Sequence, residues 1–206
     1  MTLTPAIRPY RPRDAEALAD ICVRTAHNGQ DSRQIYPDLQ LMPSIFASPY
    51  AWLEPEMTFV LDDGEGRAVG YVLGTADTSR FVQDFRTQWL PKVADRFPEP
   101  SGPPGTPSEE MIWLLHHPER MILPQLTDYP AHLHIDLLPD WQRRGYGRAL
   151  MWAFLDALRA RGVEAVHLCM VNANVRARAF YDRLGFHEIP VPDPAPVTYL
   201  GRSASR

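Results

Sequence analysis

The chain has 206 residues, 45% of them hydrophobic, and a formal net charge of −4. That supplies a substantial core for one domain, here taken as residues 1–206, and the acidic balance argues against a nucleic-acid-binding surface. Cys22 and Cys169 lack metal or redox spacing, no basic-then-apolar signal opens the chain, and no apolar run approaches membrane-spanning length, so a cytoplasmic protein in a reducing compartment is expected, with neither membrane nor nucleic acid as partner.

In chain order, Ile7 to Tyr10 reads as a first strand and Arg13 to Ala26 as a helix with Ala17, Leu18, Ile21 and Cys22 inward. A loop rich in Asn, Gly, Asp and Pro follows, then a helical region around Leu41 to Trp52. Thr58 to Asp62 and Ala68 to Thr75 form a hairpin about the turn Asp63-Gly64-Glu65-Gly66. Residues 78–129 read as a helical insertion. Phe81, Phe85 and Trp89 recur at i, i+4 and i+8; Phe97 to Pro107 is a Pro/Gly loop; Ser108 is placed to cap a helix carrying Met111, Trp113, Leu114 and Leu115; and His116-His117 would face solvent at its end. The insertion either roofs a site, makes a dimer contact, or packs its aromatics onto the sheet.

His132 to Trp141 alternates with period two and stops at Pro139, which makes it a strand. It runs into Gln142-Arg143-Arg144-Gly145-Tyr146-Gly147 and then a helix whose Ala149, Leu150, Ala153, Phe154, Ala157 and Leu158 share a face. A strand, a glycine turn and a helix start gather backbone N–H groups at the positive end of the helix dipole, so a phosphate or pyrophosphate is the expected occupant. The spacing lacks the lysine and hydroxyl of a nucleotide-triphosphatase loop and the third glycine of a dinucleotide fingerprint. Farther on, Ala165 to Val171 is a strand. Asn174 is a suitable N-cap for a helix carrying Ala177, Phe180, Tyr181 and Leu184 on one face, and Gly185 ends it. Phe186 to Ile189 and Val197 to Leu200 complete the strands.

The segment Q-x-x-G-x-G after L-L-P-D-W resembles the acetyl-coenzyme A loop of the GNAT N-acetyltransferase superfamily. Asn174-x-x-Ala177-x-x-x-Tyr181-x-x-x-Gly185-Phe186 is similar to that superfamily's N-x-x-A-x-x-x-Y-x-x-x-G-F element, in the required order. Nearly the whole chain resembles one branch of it. IRPYRPRD, SPYAWLEPEMTFVLDD, GYVLGTADTSRF, FYDRLGFHEI and YLGRS are similar to the acetyltransferase-like C-terminal domain of animal O-GlcNAcases and its free-standing bacterial relatives. The animal domains depart from the phosphate-loop pattern, whereas here it is intact.

The resemblance implies an α/β (α+β) fold: a mixed, mostly antiparallel sheet flanked by helices and splayed between strands four and five. It implies an acetyl-CoA-dependent N-acetyltransferase in which an amine attacks the thioester directly. The alternative is a catalytically silent acetyl-CoA-binding or protein-interaction module. Main-chain N–H groups from Arg143 to Arg148, through Arg144, Gly145, Tyr146 and Gly147 and with Gln142 before them, would hold the pyrophosphate. Leu137 and Leu138 would part from Cys169 to Val171 to admit the pantetheine arm, which Asn174 would touch if its side chain is not spent as the cap. Tyr181 would be the general acid, its rival role being a packed aromatic. His132, His134 and Asp136 project onto one face of their strand; one of them, with His134 and Asp136 put first, or Asp77 at the end of the third strand, would relay the amine's proton through water, unless the amine arrives neutral. The H-x-H-x-D order raises zinc, but Leu137 stands where a further ligand is needed, and no metal is expected. The acceptor is an amine, small molecule or peptide lysine; the protein would be a monomer or homodimer.

Overall fold

The computed structural model describes residues 4–205. Seven strands form one sheet: β1 (Ala6–Pro9), β2 (Phe59–Asp62), β3 (Ala68–Thr75), β4 (Ala131–Leu137), β5 (Ala165–Val171), β6 (His187–Ile189) and β7 (Val197–Ser203), in the order β1-β2-β3-β4-β5-β7-β6. Every pairing is antiparallel except β4 with β5, which is parallel. β3 is buried along its whole length, as its near-continuous apolar run requires of a central strand.

The helices are α1 (Ala15–Thr25), α2 (Leu41–Phe46), α3 (Ser48–Leu53), α4 (Thr78–Asp84), α5 (Leu90–Val93), α6 (Pro107–His116), α7 (Tyr146–Ala160) and α8 (Val175–Arg183). α7 lays Leu150, Met151, Phe154, Leu155 and Leu158 on one sheet face, where the Phe154 ring closes over Gly74. α1 covers the other face, bringing Cys22 against Tyr71. Each helix needs one apolar stripe, and the sheet between them buries both.

Several boundaries differ from the sequence expectation for local reasons. The region expected as one helix from Leu41 to Trp52 is two, broken at Ala47 ahead of Pro49, which cannot donate to a preceding carbonyl. α6 is capped by Thr106, whose side chain accepts from Glu109 N at 3.2 Å; Pro107 takes the first helical position and Ser108 lies inside. The Phe81-Phe85-Trp89 helix contains a π turn over Phe85–Trp89. In an α-helix a spacing of four drifts about 40° per step, whereas a wider turn keeps the three rings on one side. His116 is half-buried with its Nε2 2.7 Å from Phe97 O, and His117 stacks on Trp113 at 4.1 Å, so the pair is engaged rather than solvent-facing.

Two of the motifs that carry the resemblance are structural ties. Arg8 in IRPYRPRD donates to Asp62 at 2.7 Å and to both carboxylate oxygens of Asp14 at 2.7 and 2.9 Å, fastening β1 to β2 and to the start of α1. In YLGRS, the buried Arg202 donates to the carbonyls of Leu184, Ser203 and Ser205 and lies over the Trp152 ring, which joins β7 to α7 and to the end of α8.

Candidate functional site

β4 and β5 pair at Ala131↔Val166 and His132↔His167 and then separate, β4 staying with β3 as far as Leu137 and β5 with β7 as far as Val171. The sheet is therefore forked at its centre, open toward the C-terminal end of β4. Burial follows the fork. His132 and His167 are 5% exposed at its base, whereas His134 and Asp136 on one prong are only half-buried, and Cys169 and Val171 on the other are exposed.

The backbone beside the fork decides which groups face it. Leu138 N donates to Val69 O at 3.0 Å and Leu138 O accepts from Trp141 N at 2.9 Å, so Leu138, expected to serve the cofactor, has both main-chain groups engaged. By the alternation of an antiparallel ladder, Ile135 and Leu137 turn their N–H and C=O groups toward the parted side. Leu137 O accepts from Gln142 Nε2 at 2.8 Å, which makes the Gln142 side chain a brace between loop and strand.

At the open end the chain makes a short turn, Pro139–Trp141, and enters α7. Arg143 takes φ 60° and Gly145 φ 87°, the latter at the N-cap with no side chain to occupy the first helical N–H groups. A Cβ at Gly145 would meet no atom within 4 Å, so the glycine answers a left-handed backbone beside open space. Gly147 differs: a Cβ there would lie 3.2 Å from the Phe180 ring, so its smallness lets α7 approach α8. The N–H groups of Tyr146, Gly147 and Arg148, at the positive end of a 15-residue helix, have no carbonyl behind them in the helix. The cradle thus fits a diphosphate. Arg144 lies over the Trp141 ring, and Arg148 lines a groove between α7 and α8 with Trp152, Phe180 and Arg183.

α8 begins at Asn174, whose Oδ1 accepts from Ala177 N at 3.1 Å. The cap is therefore real, and the amide hydrogens of Asn174 remain for a ligand. Tyr181 is 8% exposed between the Phe180 and Phe186 rings. Burial, followed by the nearby charge of Asp136, pushes its phenol well above the usual value, so it stays protonated.

Asp136 accepts from Tyr71 Oη at 2.8 Å. Burial lifts its pKa to about 6, against the pull of that hydrogen bond. His132 and His134 share a third hydroxyl, with Tyr50 Oη 2.8 Å from His132 Nε2 and 3.1 Å from His134 Nε2. Proton positions follow in sequence. Thr78 Oγ1 gives its hydrogen to Pro130 O at 2.8 Å and so accepts from His132 Nδ1, also at 2.8 Å. Burial keeps His132 neutral, which leaves Nε2 to accept from Tyr50 and makes His134 Nε2–H the donor to Tyr50. His134, lowered to about 4 by burial and then by Arg120, is also neutral and retains the Nδ1 lone pair.

The site thus brings together the Gly145 cradle, Leu137, Tyr181, Asp136 and His134. It leaves Asp77 apart, capping α4 through Arg80 N at 3.1 Å. Among the described residues, no three His, Cys, Asp or Glu side chains converge as metal ligands would, and no helix is long and apolar enough to cross a membrane. Tyr50, Tyr71 and Arg120 were not singled out from the sequence. Tyr50 and His132 are 82 positions apart, and no spacing rule links them.

Comparison with known proteins bears on these features. Residues 26–186 match the Acetyltransferase (GNAT) family. The chain is 29% identical over 205 residues to Protein O-GlcNAcase of Rattus norvegicus, a stretch that covers 96% of this chain but 22% of that protein. The crystal structure of SsHAT is 68% identical, with a TM-score of 0.96 over 98% of this chain and 100% of its own. PaiA N-acetyltransferase from Thermoplasma acidophilum, solved in complex with coenzyme A, shares the fold at 11% identity and a TM-score of 0.59, over 97% of this chain and 99% of its own. The chain belongs to the GNAT acetyltransferase family.

Proposed function

We propose that the protein transfers an acetyl group from acetyl-CoA to an amine by direct attack within a ternary complex, all of residues 1–206 forming one acetyltransferase domain. The observation that carries this reading is the forked sheet, with an uncapped helix start and the bare Gly145 cradle at its open end.

Acetyl-CoA, when bound, supplies an acyl carbon already activated as a thioester. The N–H groups from Arg143 to Arg148 hold the diphosphate; at about 1.5–3 kcal/mol for each charge-assisted hydrogen bond, three or four account for most of a micromolar affinity after association costs. Leu137 and Ile135 offer backbone partners to the pantetheine amides, joined by the Asn174 amide hydrogens. As the amine nitrogen bonds to the carbonyl carbon and the carbon–sulfur bond breaks, Tyr181 gives its hydroxyl proton to the departing sulfur. The proton lost by the amine passes to Asp136, whose pKa of about 6 suits a base near neutrality, with His134 able to relay it through water. The protein acts without a metal, in the cytoplasm, as a monomer or homodimer.

Likeness to the O-GlcNAcase domain favours a second reading, a module that binds acetyl-CoA and does not turn it over. Thiol release from acetyl-CoA in the presence of an amine panel separates the two. Amine-dependent release supports transfer. Calorimetric binding without release, together with background hydrolysis unaffected by Tyr181→Phe, supports the silent module.

A further inference from the structure

Arg120 lies in a turn, Pro118–Met121, at the end of the insertion, and its side chain makes no hydrogen bond or ion pair among the described residues. Its Nε is sealed from solvent with no partner, while the residue as a whole is only half-buried. Among the described residues the other buried or half-buried arginines, Arg8, Arg24, Arg178 and Arg202, each donate to an acceptor. The charge of the guanidinium is felt on both sides of the fork: by Tyr50 of α3 and by His132 and His134 of β4, and by Cys169 of β5 and its register partner Tyr199 of β7. All of these groups are neutral near pH 7. Burial drives Cys169 up to about 11 and Tyr199 up to about 12, and raises Tyr50 further. A cation half out of water with only neutral neighbours destabilises the fold unless something else compensates it. Cys169 is exposed and His134 and Tyr199 are half-buried, so solvent reaches this cluster beyond the last β4–β5 pair, His132↔His167, and an acceptor entering there would meet Arg120.

We propose that Arg120 binds an oxyanion carried by the amine acceptor, so that the acceptor is a small acid-amine in kind, bearing a carboxylate or phosphate near its nitrogen, and not a lysine within a peptide. This rests on the acetyl-transfer reading above. The planar fork of donors on a guanidinium suits either oxyanion. Tyr50 beside it presents an oxygen already committed to His132 and His134, which leaves Arg120 as the group with donors to give.

The test compares acceptors with and without the anion, with rates taken per unprotonated amine because the anion also makes the amine more basic: glycine against glycinamide, β-alanine against its amide, phosphoethanolamine against ethanolamine, and, beside them, an N-blocked lysine peptide amide. The expected kcat/KM ratio of acid to neutral partner is on the order of tenfold or more, and Arg120→Met should bring it close to one while Arg120→Lys keeps part of it. The carboxylate and phosphate pairs identify which oxyanion is preferred. Arg120→Met should also raise the melting temperature of the ligand-free protein, by about 2 °C or more, since it removes an uncompensated charge from a nearly unchanged volume. A ratio near one in the wild type, equal turnover of the peptide, or an equal loss on both members of a pair in Arg120→Met would overturn the proposal. Should no amine be acetylated although coenzyme A binds, the transfer reading fails by itself. Titrating glycine and phosphoethanolamine into the coenzyme A complex then decides about Arg120: uptake abolished by Arg120→Met upholds it, and absence of uptake overturns it.

Discussion

Tyr181 packs edge-on to Phe180 and Phe186, within range of the charge on Asp136. The sequence supplied its place in a motif, and the structure adds an environment that keeps the phenol protonated. Tyr181→Phe keeps the ring and its packing, so it should lower kcat on the order of 100-fold or more while leaving acetyl-CoA affinity nearly intact; stopped assays and calorimetry read both, and an unchanged kcat removes Tyr181 from the chemistry. Asp136 allows a prediction with a sign. Its folded pKa of about 6 lies above the ordinary carboxylate value, so the folded protein holds the proton more firmly than the unfolded chain. That contribution is present at low pH and is lost as pH rises through about 6. Asp136→Asn, which can still accept from Tyr71, should therefore raise the melting temperature at pH 8 more than at pH 4. It should also lower kcat and erase the rise in rate through pH 6. Loss of stability at pH 8 would show that the carboxylate serves the fold instead. His134 and Asp136 were legible as strand alternation. Tyr50 and Arg120 were not, since their roles arise where distant segments meet.

The loop and α7 form the element most open to reading from sequence, because helix starts that bind anions need specific backbone, and glycine advertises it. Spacing could not divide the labour between the two glycines. Gly145 has a φ that disfavours side chains and open space outside, whereas Gly147 faces the Phe180 ring. Gly145→Ala should cost about 1 kcal/mol of stability from the left-handed backbone alone. Gly145→Asp should add repulsion of the diphosphate and weaken coenzyme A binding at least about tenfold. Equal affinities of the two variants would mean that the anion lies elsewhere. The insertion was less legible for a physical reason. A four-residue aromatic repeat is compatible with an amphipathic α-helix, and the π turn that reconciles it with one packed face leaves no mark of its own in composition. The cap at Thr106 was missed because Ser108 offers the same chemistry two positions later, and Pro107 decides between them.

Across the whole molecule, the forked sheet joins two halves. β1 to β4 form a continuous antiparallel unit, as do β5, β7 and β6, and the two meet through the pairs Ala131↔Val166 and His132↔His167. Alternation placed the strands along the chain, but the parting was expected only from the family resemblance, because β4 and β5 carry ordinary apolar alternation on both sides of it. The parting leaves donors and acceptors on facing edges of residues 133–137 and 168–171 without partners from the opposite strand, and backbone groups in that state are satisfied by solvent or by ligand. A ligand that runs between the prongs should replace solvent there and couple the halves. Coenzyme A at about a hundredfold excess over its Kd should therefore stabilise the protein by about 2.7 kcal/mol. In hydrogen–deuterium exchange, protection should concentrate in 134–137, 169–171 and the start of α7, and leave β1 and β2 nearly unchanged. The pattern separates a ligand lodged in the fork from one that merely binds the folded state, because general stabilisation slows exchange across the core strands β2 and β3 as well. Protection confined to the α7 start would place the diphosphate correctly yet leave the arm outside the sheet. In that arrangement Tyr181 and Asp136 would have no thioester between them, and the proposed transfer could not occur at this site.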